Sequence, residues 1–168
     1  MVLLYKLTDA NGRTHGDTQW GPGVTHSGTG EGYLCAKGWI HAYTNPLLAA
    51  LLNPIHANFS EPRLWEAEGD VALEDRGLKV GCKTLTTLRE IPIPVVTREH
   101  MTKFAILCSR KVCSNRTWLT WAEWWMSRED RSKASLYSNS AYVDAIIYAA
   151  QYTTIPLDLI AIAQEACS

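Results

Sequence analysis

The run Gly38-Trp39-Ile40-His41-Ala42-Tyr43 alternates aromatic and β-branched residues, so it reads as a strand with Trp39, His41 and Tyr43 on one face. An indole, an imidazole and a phenol side by side suit the wall of a pocket for a flat nucleobase, with His56 and Arg63 as further polar contacts. Glu66 and Glu68 also alternate, in Arg63-Leu64-Trp65-Glu66-Ala67-Glu68-Gly69. Two carboxylates on one strand face could raise one another's pKa and act as acid and base beside His41, Tyr43 and His56, or hold sugar hydroxyls. The same spacing describes the solvated face of an edge strand.

Other chemistry finds less support. Cys35, His41, His56 and Cys82 are zinc-type ligands, but their spacing fits no closed zinc motif, and no metal is expected. Gly28-Thr29-Gly30-Glu31-Gly32 could offer backbone N–H groups to an anion, yet lacks the Lys-Ser/Thr of a P-loop and reads equally as a surface loop. Neither GxSxG nor a local Cys/His/Asn signature is present, so Cys35 and Cys82 read as structural thiols. No cofactor is expected.

These residues must be held by elements that the pattern also indicates. Residues 2–8 are a short apolar run ending in the turn Asp9-Ala10-Asn11-Gly12, a first strand. A short strand is expected over 24–26 inside the glycine-rich stretch, and Trp39 to Tyr43 gives another. Thr44-Asn45-Pro46 starts a nearly all-apolar, buried helix from 46 to about 52, which Asn53-Pro54 should end. Residues 63–69 and 78–91 are extended, and Pro92 and Pro94 form a stiff linker.

All 11 glycines lie between Gly12 and Gly81, which divides the chain into a mixed part, 1–94, and a glycine-free part, 95–168. The second part reads as helices: one capped by Thr97, one carrying Trp118, Trp121 and Trp125 at i, i+3 and i+7, one from about 132 to 152, and one opened by Pro156. The tryptophan face is either core packing or a homo-oligomer interface. The fold class expected is α+β, a small mixed strand and loop domain with one buried helix followed by an all-α helical region.

With 168 residues, 46% of them hydrophobic, the chain can fold without disulfides or metal. A net charge of −1 excludes a polycationic nucleic-acid binder. No run approaches the roughly 20 apolar residues of a membrane span, and an odd count of five cysteines without a CxxC pair fits reduced thiols. A cytoplasmic protein is expected.

The run from Leu34 to Ala49, with Pro62-Arg63-Leu64-Trp65-Glu66-Ala67-Glu68-Gly69, Tyr5-Lys6-Leu7-Thr8 and the tail Asp158-Leu159-Ile160-Ala161-Ile162-Ala163, resembles a family of uncharacterised phage-encoded proteins (DUF7666-like). That resemblance implies action inside an infected host cell. A fainter one is to ADP-ribosyltransferase-type NAD-binding folds, in the order basic strand, Gly-aromatic-β-branched-His/Tyr strand, apolar helix, Glu-bearing strand. It implies that Lys6, His41, Tyr43 and Glu66 or Glu68 line a cleft. The leading expectation is a phage accessory protein that binds a small nucleotide-derived ligand and sequesters a host immune signal. The alternatives are an ADP-ribosyltransferase-like enzyme with Glu66 or Glu68 catalytic, and an interaction module docking through the Trp-rich helices.

Overall fold

The computed structural model describes residues 1–129, 149, 154 and 156–168. The chain forms two compact units, Met1–Val95 and Val96–Ser168. It combines an antiparallel sheet with helices, an α+β fold.

The first unit contains β1 (Val2–Thr8), β2 (Arg13–Thr14), β3 (Thr18–Gln19), β4 (Thr25–Ser27), β5 (Ile40–Ala42), α1 (Pro46–His56), β6 (Arg63–Glu74) and β7 (Val80–Ile91). β6 and β7 make a long hairpin, turned at Arg76 and Gly77, whose positive φ values of 46° and 83° suit a tight reversal. Register shifts along this pair bend it. β1 pairs with β6 on one side, while β5 and β4 pair in turn with successive parts of β7. A bridge between Tyr5 and Tyr43 joins β1 to the residue after β5, so the ring β1-β6-β7-β5-β1 closes on itself.

Leu4, Trp20, Ala42, Ala67, Val80, Cys82 and Leu85 pack inside that ring. The face of β1 that presents Leu4 to this core also carries Lys6 and Thr8, both buried. Thr8 is satisfied by the indole of Trp65, whose Nε1 donates to Thr8 Oγ1 at 3.0 Å. The interior is therefore apolar at one end of β1 and polar at the other.

α1 begins where its sequence says it should. The Asn45 side chain accepts from the N–H groups of Leu47 (2.9 Å) and Leu48 (3.3 Å), and Pro46 gives up a donor that the first turn would leave unpaired. Leu48, Leu51 and Leu52 are buried, each contributing about 1.5–3 kcal/mol. The end differs from expectation, because the helix continues through Pro54 to His56. Pro54 removes a hydrogen bond only in the last turn, and Asn53 compensates. Its carbonyl accepts from Ala57 and Asn58, and its side chain bonds both the N–H and the carbonyl of Phe59. The extra turn carries His56 beside Tyr43.

The second unit contains α2 (Arg98–Ser109), α3 (Arg116–Ser127) and α4 (Leu159–Cys167). Thr97 and His100 form a reciprocal cap on α2. Trp121 and Trp125 are buried with Ile106 and Ala122, and Trp118 packs against them, so this face of α3 is core of the unit. Lys103 Nζ ties α2 to the Glu165 carbonyl of α4 at 2.6 Å. The helix expected from about 132 to 152 lies outside the described residues, Ala149 apart. Among the described residues no helix is long and apolar enough to cross a membrane.

Candidate functional site

A cavity of about 750 Å³ opens in the first unit, within the size range of small-molecule sites. Lys6 comes from β1, His15 from the β2-β3 turn, Trp20 from the residue after β3, His26 from β4, and Trp39, His41 and Tyr43 from β5 and its flanks. The last turn of α1 and the chain beyond it add His56 and Phe59, and the end of the β6-β7 turn adds Lys79. Three lysines and four of the chain's five histidines line it. Among the described residues that line it there is no aspartate or glutamate.

Lys6 is the most constrained of these groups. Only 8% exposed, its ammonium donates to the His41 carbonyl at 2.8 Å and lies 5.0 Å from the centre of the Trp20 ring. No carboxylate is paired with it among the described residues. Burial pulls its pKa down to about 8, with Cys82 acting in the other direction.

The histidines are oriented by backbone carbonyls. His41 Nε2 lies 2.5 Å from Leu34 O, His26 Nε2 2.8 Å from Gln19 O, and His15 Nε2 3.2 Å from Ala57 O. A carbonyl only accepts, so each Nε2 carries the proton and each neutral ring keeps its lone pair on Nδ1. His56 stacks on Tyr43 at 5.9 Å, with its Nδ1 3.3 Å from the phenol oxygen. Burial holds the Tyr43 phenol protonated well above its usual range, so the hydroxyl is available to donate to that nitrogen. Burial, then the charges of Lys79 and His41, push His56 down to about 3. His41 is also lowered, chiefly by burial, against its bond to Leu34.

The rim is built by a loop whose glycines are required by close approach. A Cβ on Gly28 would run into the carbonyl of Gly38, and one on Gly38 into that of Glu31. The Gly30 N–H donates to Gly38 O at 2.8 Å, closing the loop that carries Cys35 and Lys37 and leads into Trp39. Trp39 Nε1 is held by Gly32 O at 2.9 Å, and Lys79 Nζ reaches Cys35 Sγ at 3.2 Å.

No protein family, no curated protein and no solved structure matches this chain. The site therefore has to be read from its own groups. Of the residues singled out in the sequence, Lys6, Trp39, His41, Tyr43 and His56 come together on the cavity. Arg63, Glu66 and Glu68 do not. Glu66 and Glu68 face Tyr5 and Leu3 in the β1-β6 register, which by strand alternation puts them on the sheet face opposite Lys6 and Trp65. Glu66 there holds Arg89 through two hydrogen bonds of 2.6 and 2.8 Å. Arg63 lies over the Trp65 ring and is held by Glu90. Among the described residues no group of three or more His, Cys, Asp or Glu side chains is placed to hold a metal ion.

Sequence reasoning missed His15, His26, Phe59 and Lys79 as site residues. The available signal was the crowding of four histidines into the first 56 residues.

Proposed function

We propose that the first unit is a receptor for a small nucleotide-like ligand. The supporting observation is the cavity itself, which joins ring-bearing walls to a buried, uncompensated lysine and has no acidic side chain in its described lining. Rings offer surface for a base, and cationic donors suit the phosphate or sugar-phosphate that makes a nucleotide anionic. In this reading the protein is a phage accessory factor of the host cytoplasm that sequesters a signalling nucleotide, and its second unit is an all-helical region.

The transferase alternative gains nothing from the geometry, since Glu66 and Glu68 are turned away from Lys6. The test is thermal unfolding of the full chain with NAD, ADP-ribose and cyclic nucleotides. A ligand at 100 times its Kd stabilises by about 2.7 kcal/mol, an easily measured shift. Absence of a shift with every one of them would overturn the reading.

A further inference from the structure

Resting on that reading, we propose that the corner formed by Lys6, His41 and Lys79 is a subsite for a phosphate dianion, and that filling it draws a proton onto His41 Nδ1. Three elements supply the corner: β1 gives Lys6, β5 gives His41, and the β6-β7 turn gives Lys79. Lys6 is the group that points to an occupant. Its ammonium has three donors, and among the described residues the acceptor it meets is the His41 carbonyl. A buried cation without a counter-ion is costly, and an anionic ligand is the partner that would relieve it.

His41 explains the proton. Its Nε2–H is committed to Leu34 O, so the neutral ring has only the Nδ1 lone pair to turn toward a ligand, which repels an anion. Lys79 from the turn and Lys6 from β1 both disfavour a charge on this ring, Asp75 from the turn favours one, and His56 from α1 lies within their influence. A phosphate dianion placed among these groups cancels the two ammonium charges and sets an acceptor oxygen against the ring, so the charges that disfavour protonation are offset and a contact that favours it is added. The protonated ring then donates from Nδ1 as well. The bound dianion keeps its charge, and the proton on His41 comes from solution or, where the probe arrives as the monoanion, from the probe itself.

The experiment is calorimetric titration of the full chain with inorganic phosphate, AMP and adenosine, each in two buffers of different ionisation enthalpy at pH 6.5. Charge-assisted hydrogen bonds predict AMP binding at least ~10-fold tighter than adenosine. Phosphate should compete with AMP. A phosphate that is monoanionic in solution gives up a proton on binding as the dianion, so the His41 proton is read as the excess uptake of the wild type over His41→Gln, present with both phosphate-bearing probes and absent with adenosine. Lys6→Met and Lys79→Met should each collapse the AMP-to-adenosine ratio, and His41→Gln should lower the proton uptake measured with AMP and with phosphate by up to about one proton. Lys79 is half-buried on a turn, so its variant tests the corner independently of the buried position of Lys6.

Adenosine binding as tightly as AMP would overturn the subsite while leaving the nucleotide reading intact. Phosphate binding that is lost in Lys79→Met, with no contribution from the nucleoside, would support the subsite and remove the nucleotide reading. Failure of phosphate and AMP alike to bind overturns the subsite.

Discussion

Replacing Lys6 by methionine should make the protein more stable while destroying its ligand binding. Folding lowers the Lys6 pKa from 10.5 to about 8, which corresponds to a cost of about 3 kcal/mol for keeping this side chain charged inside the fold. Methionine fills a similar volume beside Trp20 without that cost. It forfeits the hydrogen bond to His41 O, worth about 1 kcal/mol, and the contact with the Trp20 ring, worth about another 1 kcal/mol. The net expectation at pH 7 is a gain of about 1 kcal/mol, or about 4–8 °C in Tm for a unit of this size. The dependence on pH is the sharper signature. Below about pH 8 both folded and unfolded Lys6 are protonated and the full cost is present; above 10.5 neither is, and the cost is gone. Between those values the unfolded chain holds a proton that the folded chain has released, so the wild type gains stability as pH rises. Urea titrations of both proteins, with hydrogen exchange of β1, β6 and β7 to isolate the first unit, give the difference at each pH. The advantage of Lys6→Met should shrink between pH 8 and 10.5. A variant that is less stable at pH 7, with a difference that does not change over this window, would refute the argument that Lys6 is a buried charge awaiting a partner.

His56→Gln should blunt acid unfolding. Folding lowers the His56 pKa from 6.5 to about 3, so as pH falls through that interval the unfolded chain takes up a proton that the folded chain refuses, and stability is lost; circular dichroism from pH 7 to 3 should show a shallower decline in the variant. Glu66→Gln and Glu68→Gln, singly and together, should leave nucleotide affinity unchanged by calorimetry, since both side chains sit on the face away from Lys6. Trp65→Phe should cost about 1–3 kcal/mol in urea unfolding, because it leaves the buried Thr8 hydroxyl without its indole donor.

What could be read in the sequence was what local physics decides. Val2–Thr8 is a strand in the fold as in the pattern, and Asn45-Pro46 and Thr97 cap helices where their side chains can reach the first free N–H groups. Pro54 misled because a proline near a helix end costs little when Asn53 and Asn58 close the turn. The full 12 residues of β6 were hidden by Gly69-Asp70, a turn-like pair that reads as the end of the strand although Val71 and Leu73 continue the alternation beyond it. Trp39, His41 and Tyr43 were legible as a shared face because they are consecutive in period. The rest of the cavity was not, because His15, His26, Phe59 and Lys79 arrive from separate turns and strands. The burial of Lys6 was invisible for a similar reason: a lysine in a strand looks solvated until the ring closes around it.

That closure has a mechanical side. β6 and β7 are joined by a long ladder of local pairs, whereas β1 meets β5 through one reciprocal pair, Tyr5 N–H to Tyr43 O at 2.8 Å and Tyr43 N–H to Tyr5 O at 2.9 Å. The residues beside that pair are Lys6 and Ala42, and the ammonium of Lys6 crosses to the carbonyl of His41 one step further on. The seam of the ring is thus fastened by two backbone bonds and one side-chain clasp, and the clasp is the group that faces the cavity. A molecule gripping Lys6 and His41 together would work as a rivet across the narrowest joint. The same chemistry that recognises the guest would lock the container.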